Sequence, residues 1–485
     1  MNLNSEGLKN RSFWETAGYQ LPLFDHEAVS HKTKEAPFWI HFGAGNIFRA
    51  FQANAVQKLL NDKILDRGLV VAEGYDYEII EKMYHPHDNY SILATLKADG
   101  SIEKTVVGSI AESLTLDSHD TASYNRLKKF SEMNPCSLLL LPLPKMDNYS
   151  QNGDKLKTAI TAFAEKWVEN NLVEPEFLTY VTSNKVSFPW TMIDKITPRP
   201  NTSVEELLKK DGVQDLDPVI TGKHTYVAPF VNSEECEYLV IEDTFPNGRP
   251  ALEKSGFIFT DRETVDKVER MKVCTCLNPL HTALAVFGCL LDYKLIAEEM
   301  KDSTLKTLVE RLGYQEGLPV VTDPGILNPK EFLDTVLGIR IPNPFMPDTP
   351  QRIATDTSQK LSIRYGETIK AYEKSSTLQT SDLKMIPLVF AGWLRYLTGK
   401  NDRLEDFPVS PDPMADILGS VVSSVKLDGT CSVEHAESLL HPVLENEKIW
   451  GVNLYDAGLA PSVCHYFIEM TKGAGAVRST LEKYV

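Results

Sequence analysis

Short apolar runs alternate with amphipathic stretches in the first half of the chain. Residues 38–42 form an apolar run that leads into Gly43-Ala-Gly45. Apolar residues then recur with near-helical spacing through residues 47–60, and a second apolar run covers residues 68–74. Strands read as short apolar runs and surface helices as a helical periodicity. This order therefore predicts a strand, a tight turn, a helix and a second strand, which together make a βαβ unit.

The same alternation continues to about residue 265. Further apolar runs are predicted to be strands, and they lie at residues 137–143, 177–182 and 238–241. A helical pattern at residues 154–168 separates the first two. Strands that alternate with helices are typical of an α/β domain with a largely parallel sheet, so residues 37–265 are expected to form a Rossmann-like dinucleotide-binding domain. Residues 1–36 are polar and are expected to form an N-terminal extension.

Amphipathic stretches dominate the second half of the chain, where strand-like runs become rare. The clearest of them lie at residues 281–291, 303–312, 384–397 and 414–425. Because their apolar positions recur with helical spacing, residues 266–485 are expected to form a mainly α-helical domain that binds the substrate.

The charge balance argues against one large class of partner. The chain has 50 Lys and Arg against 67 Asp and Glu, a net charge of −17, whereas nucleic-acid binding depends on clustered basic residues. The expected partner is therefore a small molecule and not a nucleic acid. If that molecule is an anion, a few local cations must outweigh a generally acidic surface. The oligomeric state is left open.

The sequence also predicts a cytoplasmic protein that does not enter a membrane. No run reaches the roughly 18 consecutive apolar residues of a spanning helix, and the first residues lack the basic-then-apolar pattern of a secretion signal. The 7 cysteines are scattered and odd in number, so reduced thiols are expected in place of a disulfide framework.

The turn Gly43-Ala-Gly45 is a candidate site for a nucleotide pyrophosphate. Glycines let the backbone approach phosphates, and the helix N-terminus that follows offers N–H groups and a positive dipole end. Asn46 belongs to this turn, and Arg49 either adds a phosphate contact or faces solvent. The third glycine of the usual fingerprint falls at Phe48. A plain strand-to-helix turn therefore stays open as an alternative.

Glu73 ends the second predicted strand. At this position a carboxylate can accept hydrogen bonds from the adenosine ribose diol and would repel the extra phosphate of NADP. This favours NAD as the cofactor. Asp76 is close enough to compete for the role, and an ordinary acidic loop residue is the alternative interpretation.

A second candidate site lies where residues 271–281 lead into a predicted helix. Asn278 is the expected N-cap and Pro279 the first helical residue, which places Asn278 and His281 on one face of the first turn. A nearby Lys272 could take a hydroxyl proton while amide and imidazole groups hold the alkoxide, as alcohol oxidation by hydride transfer requires. The alternative is a solvated Lys beside a common capping Asn.

A zinc site is a competing interpretation of the same segment. Cys274 and Cys276, together with His281 and Cys289, supply possible ligands. Their spacing matches no common structural zinc motif, and buried packing is the simpler role for such cysteines. We therefore expect no metal.

Several separated motifs resemble the mannitol dehydrogenase family, the polyol-specific long-chain dehydrogenases. The likeness runs from about Phe38 to the C-terminus. A smaller set resembles the branch of the family that acts on fructuronate and mannonate. The motifs are Gly43–Ala50, Met146-Asp147-Asn148 with Asn152-Gly153, Val186–Pro189 with Met192–Ile196, and, for the branch, Ile241–Pro250, Ser358-Gln-Lys360 and Gly392–Tyr396.

The resemblance implies roles for individual residues in a metal-independent, NAD-dependent reaction. Lys272 would be the general base, Asn148 and Asn278 would donate hydrogen bonds to the alkoxide, and His281 would hold the substrate. Asp194 would lie close to the site. The family pattern has five steps between its Lys and Asn, whereas Lys272 and Asn278 are six apart, so a bulge before the helix is expected if Lys272 is the base.

The branch resemblance implies a sugar-acid substrate, with reduction of D-fructuronate to D-mannonate as the expected reaction. Its carboxylate needs cationic or amide partners, for which the candidates are Arg340, Asn343 and Lys360. Alternatives are a mannitol- or arabinitol-type polyol 2-dehydrogenase, a tagaturonate reductase, and a non-catalytic dinucleotide-binding protein. The last is motivated by the six-step spacing and the incomplete glycine fingerprint.

Overall fold

The computed structural model of the chain describes residues 1–132 and 150–485. These fall into two compact units, residues 1–266 and residues 267–485, and each unit is described by itself below. The predicted strand at 137–143 and the candidate residue Asn148 lie outside the described residues.

The first unit contains the β-strands of the described chain. Their bounds are β1 (Tyr19–Gln20), β2 (Ile40–Phe42), β3 (Leu69–Glu73), β4 (Ser91–Leu96), β5 (Ile102–Val107), β6 (Ile110–Thr115), β7 (Thr191–Asp194), β8 (Val219–Ile220), β9 (Tyr226–Val227), β10 (Phe230–Glu234), β11 (Tyr238–Glu242) and β12 (Ile258–Thr260).

A parallel sheet with the strand order β2-β3-β6 carries the predicted βαβ unit. Every residue of β3 is buried, as expected of a parallel strand covered on both faces. Between β2 and β3 the chain forms a helical stretch, first as a π-helical turn at Phe48–Gln52 and then as α3 (Ala53–Asn61). The strand, turn, helix and strand predicted from the sequence are confirmed.

The other sheets of this unit are mixed or antiparallel. A four-stranded sheet has the order β1-β5-β4-β10 and a three-stranded sheet the order β12-β11-β7, in which β4 with β5 and β11 with β7 run antiparallel. The predicted strand at residues 238–241 is confirmed as β11. A largely parallel sheet therefore describes β2-β3-β6 but not the unit as a whole.

The first 36 residues are folded into the first unit. β1 pairs in parallel with β5, with Tyr19 opposite Lys104, and the Trp14 side chain is fully buried. The Lys104 ammonium contacts Asp211 at 2.6 Å and lies over the Tyr19 ring. The predicted N-terminal extension, residues 1–36, therefore belongs to the first unit and packs in it through β1 and the Trp14 side chain.

The helices of the first unit surround these sheets. They are α1 (Arg11–Thr16), α2 (His26–Glu35), α3, α4 (Thr121–Glu132), α5 (Asn152–Glu169), α6 (Pro175–Thr182) and α7 (Thr202–Lys210). The helix predicted at 154–168 is confirmed as α5. The strand predicted at 177–182 is wrong, because Pro175 starts a helix there and Phe177 of that helix contacts Trp167 of α5, with 5.9 Å between ring centroids.

The second unit is helical throughout. The chain enters it through α8 (Arg262–Met271) and continues with α9 (Asn278–Leu290), α10 (Ile296–Glu299), α11 (Ser303–Glu310), α12 (Pro329–Thr335), α13 (Pro350–Ile353), α14 (Glu367–Lys374), α15 (Met385–Tyr396), α16 (Ala415–Val422), α17 (Val433–Leu444), α18 (Glu447–Trp450), α19 (Ala460–Met470) and α20 (Ala476–Tyr484). Residues 267–485 are all described and contain no strand beyond one bridge between Lys400 and Asp406.

The core of the second unit lies around α9 and α15. Every residue of α15 is buried, and α9 is buried from Pro279 to Leu290 apart from His281. The start of α15 is capped by the buried Glu316, whose carboxylate accepts hydrogen bonds from the backbone N–H groups of Lys384, Met385 and Ile386. The helical run Arg262–Leu290 is long and apolar enough to span a membrane, but 78% of its most apolar window is buried within the protein, which is typical of a core helix.

Glu299 is a buried acid in this core. Glu299 is fully buried, and within the described ranges neither carboxylate oxygen has a hydrogen-bond partner. Its Oε1 would lie 2.1 Å from a Cβ at Gly288 of α9. Burial, and then Asp302 and Glu298, raise the pKa of Glu299 well above its usual value.

We expect Glu299→Gln to stabilise the protein more at pH 8 than at pH 4.5. A carboxyl whose pKa is raised by folding contributes its full stability below the unfolded pKa and loses it as the pH rises through the folded value. The measurement is the shift in thermal unfolding midpoint at the two pH values, with exposed Glu482→Gln in the same unit as control. Equal shifts at both pH values would contradict the raised pKa.

Candidate functional site

The glycine turn of the first unit has a conformation that only glycine adopts easily. Gly43 has φ +106° at the end of β2, and its N–H donates to the Ala72 carbonyl of β3 at 2.8 Å. The helix begins at Asn46. A Cβ placed on Gly45 would meet nothing within 4 Å. The backbone at Gly45 is therefore open to close approach at a helix N-terminus, as a pyrophosphate requires.

Glu73 holds this turn in place. Its Oε2 accepts a hydrogen bond from the Ala44 N–H at 2.7 Å, and its Oε1 accepts from the N–H groups of Tyr75 and Asp76 at 2.9 and 3.2 Å. Asp76, the competing acid, is buried and accepts from the Thr221 hydroxyl at 2.6 Å. Glu73 is thus the acid that joins the end of β3 to the glycine turn, and its contact with a ribose stays a prediction.

Arg49 occupies neither of the two positions that the sequence left open for it. The side chain is buried, donating to the Ala228 carbonyl and to Asn46 Oδ1, each at 2.8 Å. Burial lowers the pKa of Arg49, and its guanidinium lies 5.9 Å from the centre of the Tyr84 ring. These contacts hold the first helical turn against the chain that leads into β10.

The residues present fit a dinucleotide. An open glycine backbone, a helix start and a carboxylate at the end of the second parallel strand occur together, in the arrangement that binds a pyrophosphate and a ribose. Asn46 lies in the first helical turn, where its amide accepts from Arg49.

In the second unit, a π-helical turn joins α8 to α9. It spans Lys272–Cys276 and is closed by the Leu277 N–H donating to the Lys272 carbonyl at 3.1 Å. A turn closed by an i→i+5 bond contains about one residue more than an α-helical turn, and such turns are frequent at functional sites. The π-turn thus accommodates the extra residue between Lys272 and Asn278 and keeps both on one helical run.

Asn278 is the first residue of α9, and Leu277 is its N-cap. This corrects the expected N-cap by one position. The cap position is thus held by Leu277, which makes no side-chain capping hydrogen bond. His281 lies three residues further on, its N–H bonded to the Leu277 carbonyl at 3.1 Å. Residues three apart share one face of a helix, as the sequence predicted for this pair.

His281 lies among cations. The pKa of this half-buried imidazole lies well below its ordinary value, at about 4, because burial lowers it most, Asp348 raises it, and Arg340, Arg364 and Arg352 lower it. His281 is therefore neutral at physiological pH, with one ring nitrogen able to donate and the other able to accept.

Two neighbouring side chains fix the start of α9. The Tyr365 hydroxyl donates to the Pro279 carbonyl at 2.6 Å, and Arg364 Nη1 donates to the Thr282 hydroxyl at 2.5 Å. Both donors belong to a second π-helical turn, Ser362–Gly366. The sequence pattern did not single out Arg364; the available signal was its position four residues after the candidate Lys360.

The remaining predicted residues are placed as follows. Arg340 is buried at the end of a π-helical turn, Val336–Arg340, and Asn343 is buried with its Oδ1 accepting from the Phe345 N–H at 3.0 Å. Lys360 donates to the Thr355 carbonyl. Asp194 is buried at the end of β7 in the first unit. Lys272, Asn278, His281 and Arg340 are thus brought into one region of the second unit, whereas Asn148 lies outside the described residues.

The competing zinc interpretation gains nothing from the structure. In the part of the chain that the structure describes, no three His, Cys, Asp or Glu side chains are grouped as metal ligands. Burial raises the pKa of the Cys276 and Cys289 thiols to about 12, which suits packing residues.

Comparison with known families settles the relationship of the chain. Residues 38–254 match the mannitol dehydrogenase Rossmann domain, and residues 264–469 match the mannitol dehydrogenase C-terminal domain. The chain belongs to the mannitol dehydrogenase family. This confirms the resemblance, and it confirms a Rossmann-type N-terminal domain followed by a helical C-terminal domain.

Individual members of the mannitol dehydrogenase family differ in how much of this chain they resemble. The D-mannonate oxidoreductase of Thermotoga maritima is 45% identical, with 100% of this chain and 99% of the relative covered. Mannitol dehydrogenase 2 of Saccharomyces cerevisiae is 31% identical over 56% of this chain and 49% of its own.

Solved structures show the same fold. The Pseudomonas fluorescens mannitol 2-dehydrogenase, in ternary complex with NAD and D-mannitol, superposes with a TM-score of 0.65 at 21% identity, covering 100% of this chain and 99% of that one. A D-sorbitol dehydrogenase in substrate-free form superposes with a TM-score of 0.70 at 19% identity, covering 92% of this chain and 98% of that one.

We expect Glu73→Gln to loosen the glycine turn of this mannitol dehydrogenase family member. An amide cannot accept all three N–H bonds that the carboxylate accepts, and a hydrogen bond to a charged group contributes about 1.5–3 kcal/mol. The variant should lower the thermal unfolding midpoint and weaken NADH binding about 10-fold, measured by fluorescence titration. Exposed Glu81→Gln is the control, and an unchanged midpoint would show that Glu73 does not hold the turn.

Proposed function

We propose that the protein is an NAD-dependent, metal-independent oxidoreductase that interconverts D-fructuronate and D-mannonate. The observation that carries this proposal is the 45% identity, over the whole chain, to the D-mannonate oxidoreductase of Thermotoga maritima. The mannitol dehydrogenases of Phaeosphaeria nodorum and Saccharomyces cerevisiae match 64% and 56% of the chain at 29% and 31% identity.

The chemistry assigned to this chain is proton transfer and alkoxide stabilisation at the C5 oxygen. NAD, held at the glycine turn by Gly43, Gly45 and Glu73, would supply the hydride acceptor for C5 of D-mannonate. Lys272, unprotonated, removes the hydroxyl proton, while Asn278 donates a hydrogen bond to the developing alkoxide. His281, neutral because burial and nearby arginines lower its pKa, orients the substrate. In the reverse direction the Lys272 ammonium returns the proton to the oxygen.

The charges around His281 support an acidic substrate. The chain carries a net charge of −17, so a sugar acid is repelled by most of the surface. Arg340, Arg352 and Arg364 all act on His281, and Asp348 opposes them. A local excess of cations beside the proposed substrate-holding residue suits a carboxylate better than a neutral polyol.

A polyol 2-dehydrogenase is the second candidate. It is favoured by the fold shared with the Pseudomonas fluorescens enzyme and by the fungal mannitol dehydrogenase relatives. A neutral polyol needs the same base and alkoxide donors but no carboxylate partner. Activity on matched ketoses with and without a carboxylate separates the two candidates.

We expect fructuronate-dependent NADH oxidation that collapses in Lys272→Ala. Removing a general base or acid costs roughly 10²–10⁴-fold in rate. The measurement is loss of NADH absorbance with D-fructuronate, D-tagaturonate and D-fructose offered separately. The exposed Lys306→Ala in the same unit is the control.

Each of the other outcomes would contradict one part of the proposed function. Preference for D-fructose would establish a polyol dehydrogenase, and preference for D-tagaturonate would change the sugar acid. Full activity in Lys272→Ala would remove Lys272 as the base. NADH binding without turnover on any of the three would identify a non-catalytic dinucleotide-binding protein.

A further inference from the structure

Arg364 is held at the start of α9 by two contacts of its own π-turn. Its Nη1 donates to the hydroxyl of Thr282, the residue after His281, and that hydroxyl in turn donates to the Asn278 carbonyl at 3.0 Å. The adjacent Tyr365 donates to the Pro279 carbonyl. The guanidinium is thereby fixed beside the helical turn that carries Asn278 and His281.

The cations near His281 differ in their partners. Arg352 forms an ion pair with Asp348, and Lys360 donates to a backbone carbonyl. Burial and then Arg364 lower the pKa of Lys360, while Asp356 and Asp412 oppose them. Arg364 instead contacts a neutral hydroxyl. Within residues 1–132 and 150–485 no carboxylate lies at ion-pair distance from it. Burial lowers the pKa of Arg364 to about 10, so it stays charged at neutral pH.

A half-buried cation without a carboxylate is costly, because lost hydration is not replaced by an opposite charge. Lys360 adds to the cost, since it lies just before this helical turn and the Arg364 N–H bonds to its carbonyl at 3.0 Å. The two like charges act on each other. An anion bound between or beside Arg364 and Lys360 would compensate the lost hydration of Arg364 and reduce the repulsion between the two cations.

Guanidinium is the group best matched to a carboxylate. Its five donors form a rigid planar fork that can hold both carboxylate oxygens. With Nη1 bonded to Thr282, the other donors of Arg364 remain for a ligand. In D-mannonate the carboxylate lies four carbons from the reacting C5, so its partner is expected near the residue that orients the substrate but not at the alkoxide donor.

We infer that Arg364, oriented by the Thr282 hydroxyl, binds the substrate carboxylate and selects sugar acids over neutral ketoses and polyols. This inference rests on the proposed function. Arg364 is a specificity-determining binding residue, and Thr282 is a positioning residue that acts through it.

The test compares two substrates that differ in the carboxylate, D-fructuronate and D-fructose, in the wild type and in Arg364→Met. A lost charge-assisted pair costs roughly 10–100-fold. We expect the KM for D-fructuronate to rise by about that factor, with kcat changed far less, and kcat/KM for D-fructose to stay nearly constant. Arg478→Met is the matched control, since Arg478 is a half-buried arginine of the same unit that has its own acid, Asp302, at 2.7 Å.

Thr282 supplies a second test that leaves the charge in place. Thr282→Val removes the acceptor without changing the side-chain volume, and the KM for D-fructuronate should rise about 10-fold because one hydrogen bond no longer orients Arg364. Thr282→Ser keeps the hydroxyl acceptor, so its KM for D-fructuronate should stay close to that of the wild type. Thermal unfolding midpoints and NADH titration check that each variant is folded.

The outcomes separate this inference from the proposed function. If the wild type reduces D-fructose but not D-fructuronate, the proposed function fails first. If the wild type uses D-fructuronate and Arg364→Met lowers kcat/KM equally for D-fructuronate and D-fructose, Arg364 does not bind the carboxylate. The same conclusion follows if kcat/KM changes for neither substrate. Should Arg364→Met not fold, an unchanged KM in Thr282→Val would overturn the inference.

Discussion

The start of helix α9 is the constraint on which the proposed chemistry depends. A π-helical turn, closed by the Leu277 N–H on the Lys272 carbonyl, delivers Lys272 and α9 in one continuous helical run. Tyr365 and Arg364 fix that start from a second π-turn. Since π-turns cost regular hydrogen-bond geometry, their stability here comes from burial in the core around α9 and α15.

In the first unit, a buried carboxylate fixes the glycine turn, as the two π-turns fix the start of α9 in the second. Glu73 accepts three backbone N–H groups and so ties the glycine turn to the end of β3. Arg49 then ties the following helical turn to Ala228. A turn held from both sides keeps its backbone open at Gly45 without ligand contacts, which lowers the ordering cost of binding a nucleotide.

Charge connects the fold to substrate choice. An acidic protein that acts on an acidic substrate must concentrate its cations locally. Under the proposed function, the arginines around His281 supply this local positive charge. Burial is the main cause of the lowered pKa of His281 and the arginines add to it, so the imidazole stays neutral and adds no further positive charge.

The sequence by itself determined the fold class, the family and the positions of the candidate residues, because hydrophobic periodicity and motif spacing are local properties. The six-step spacing before Asn278 was visible, but only the folded chain showed that a π-turn accommodates it. Tertiary structure alone decided that Glu73 holds the glycine turn and that Arg364 contacts Thr282. These facts depend on contacts between segments far apart in sequence, which local patterns do not encode.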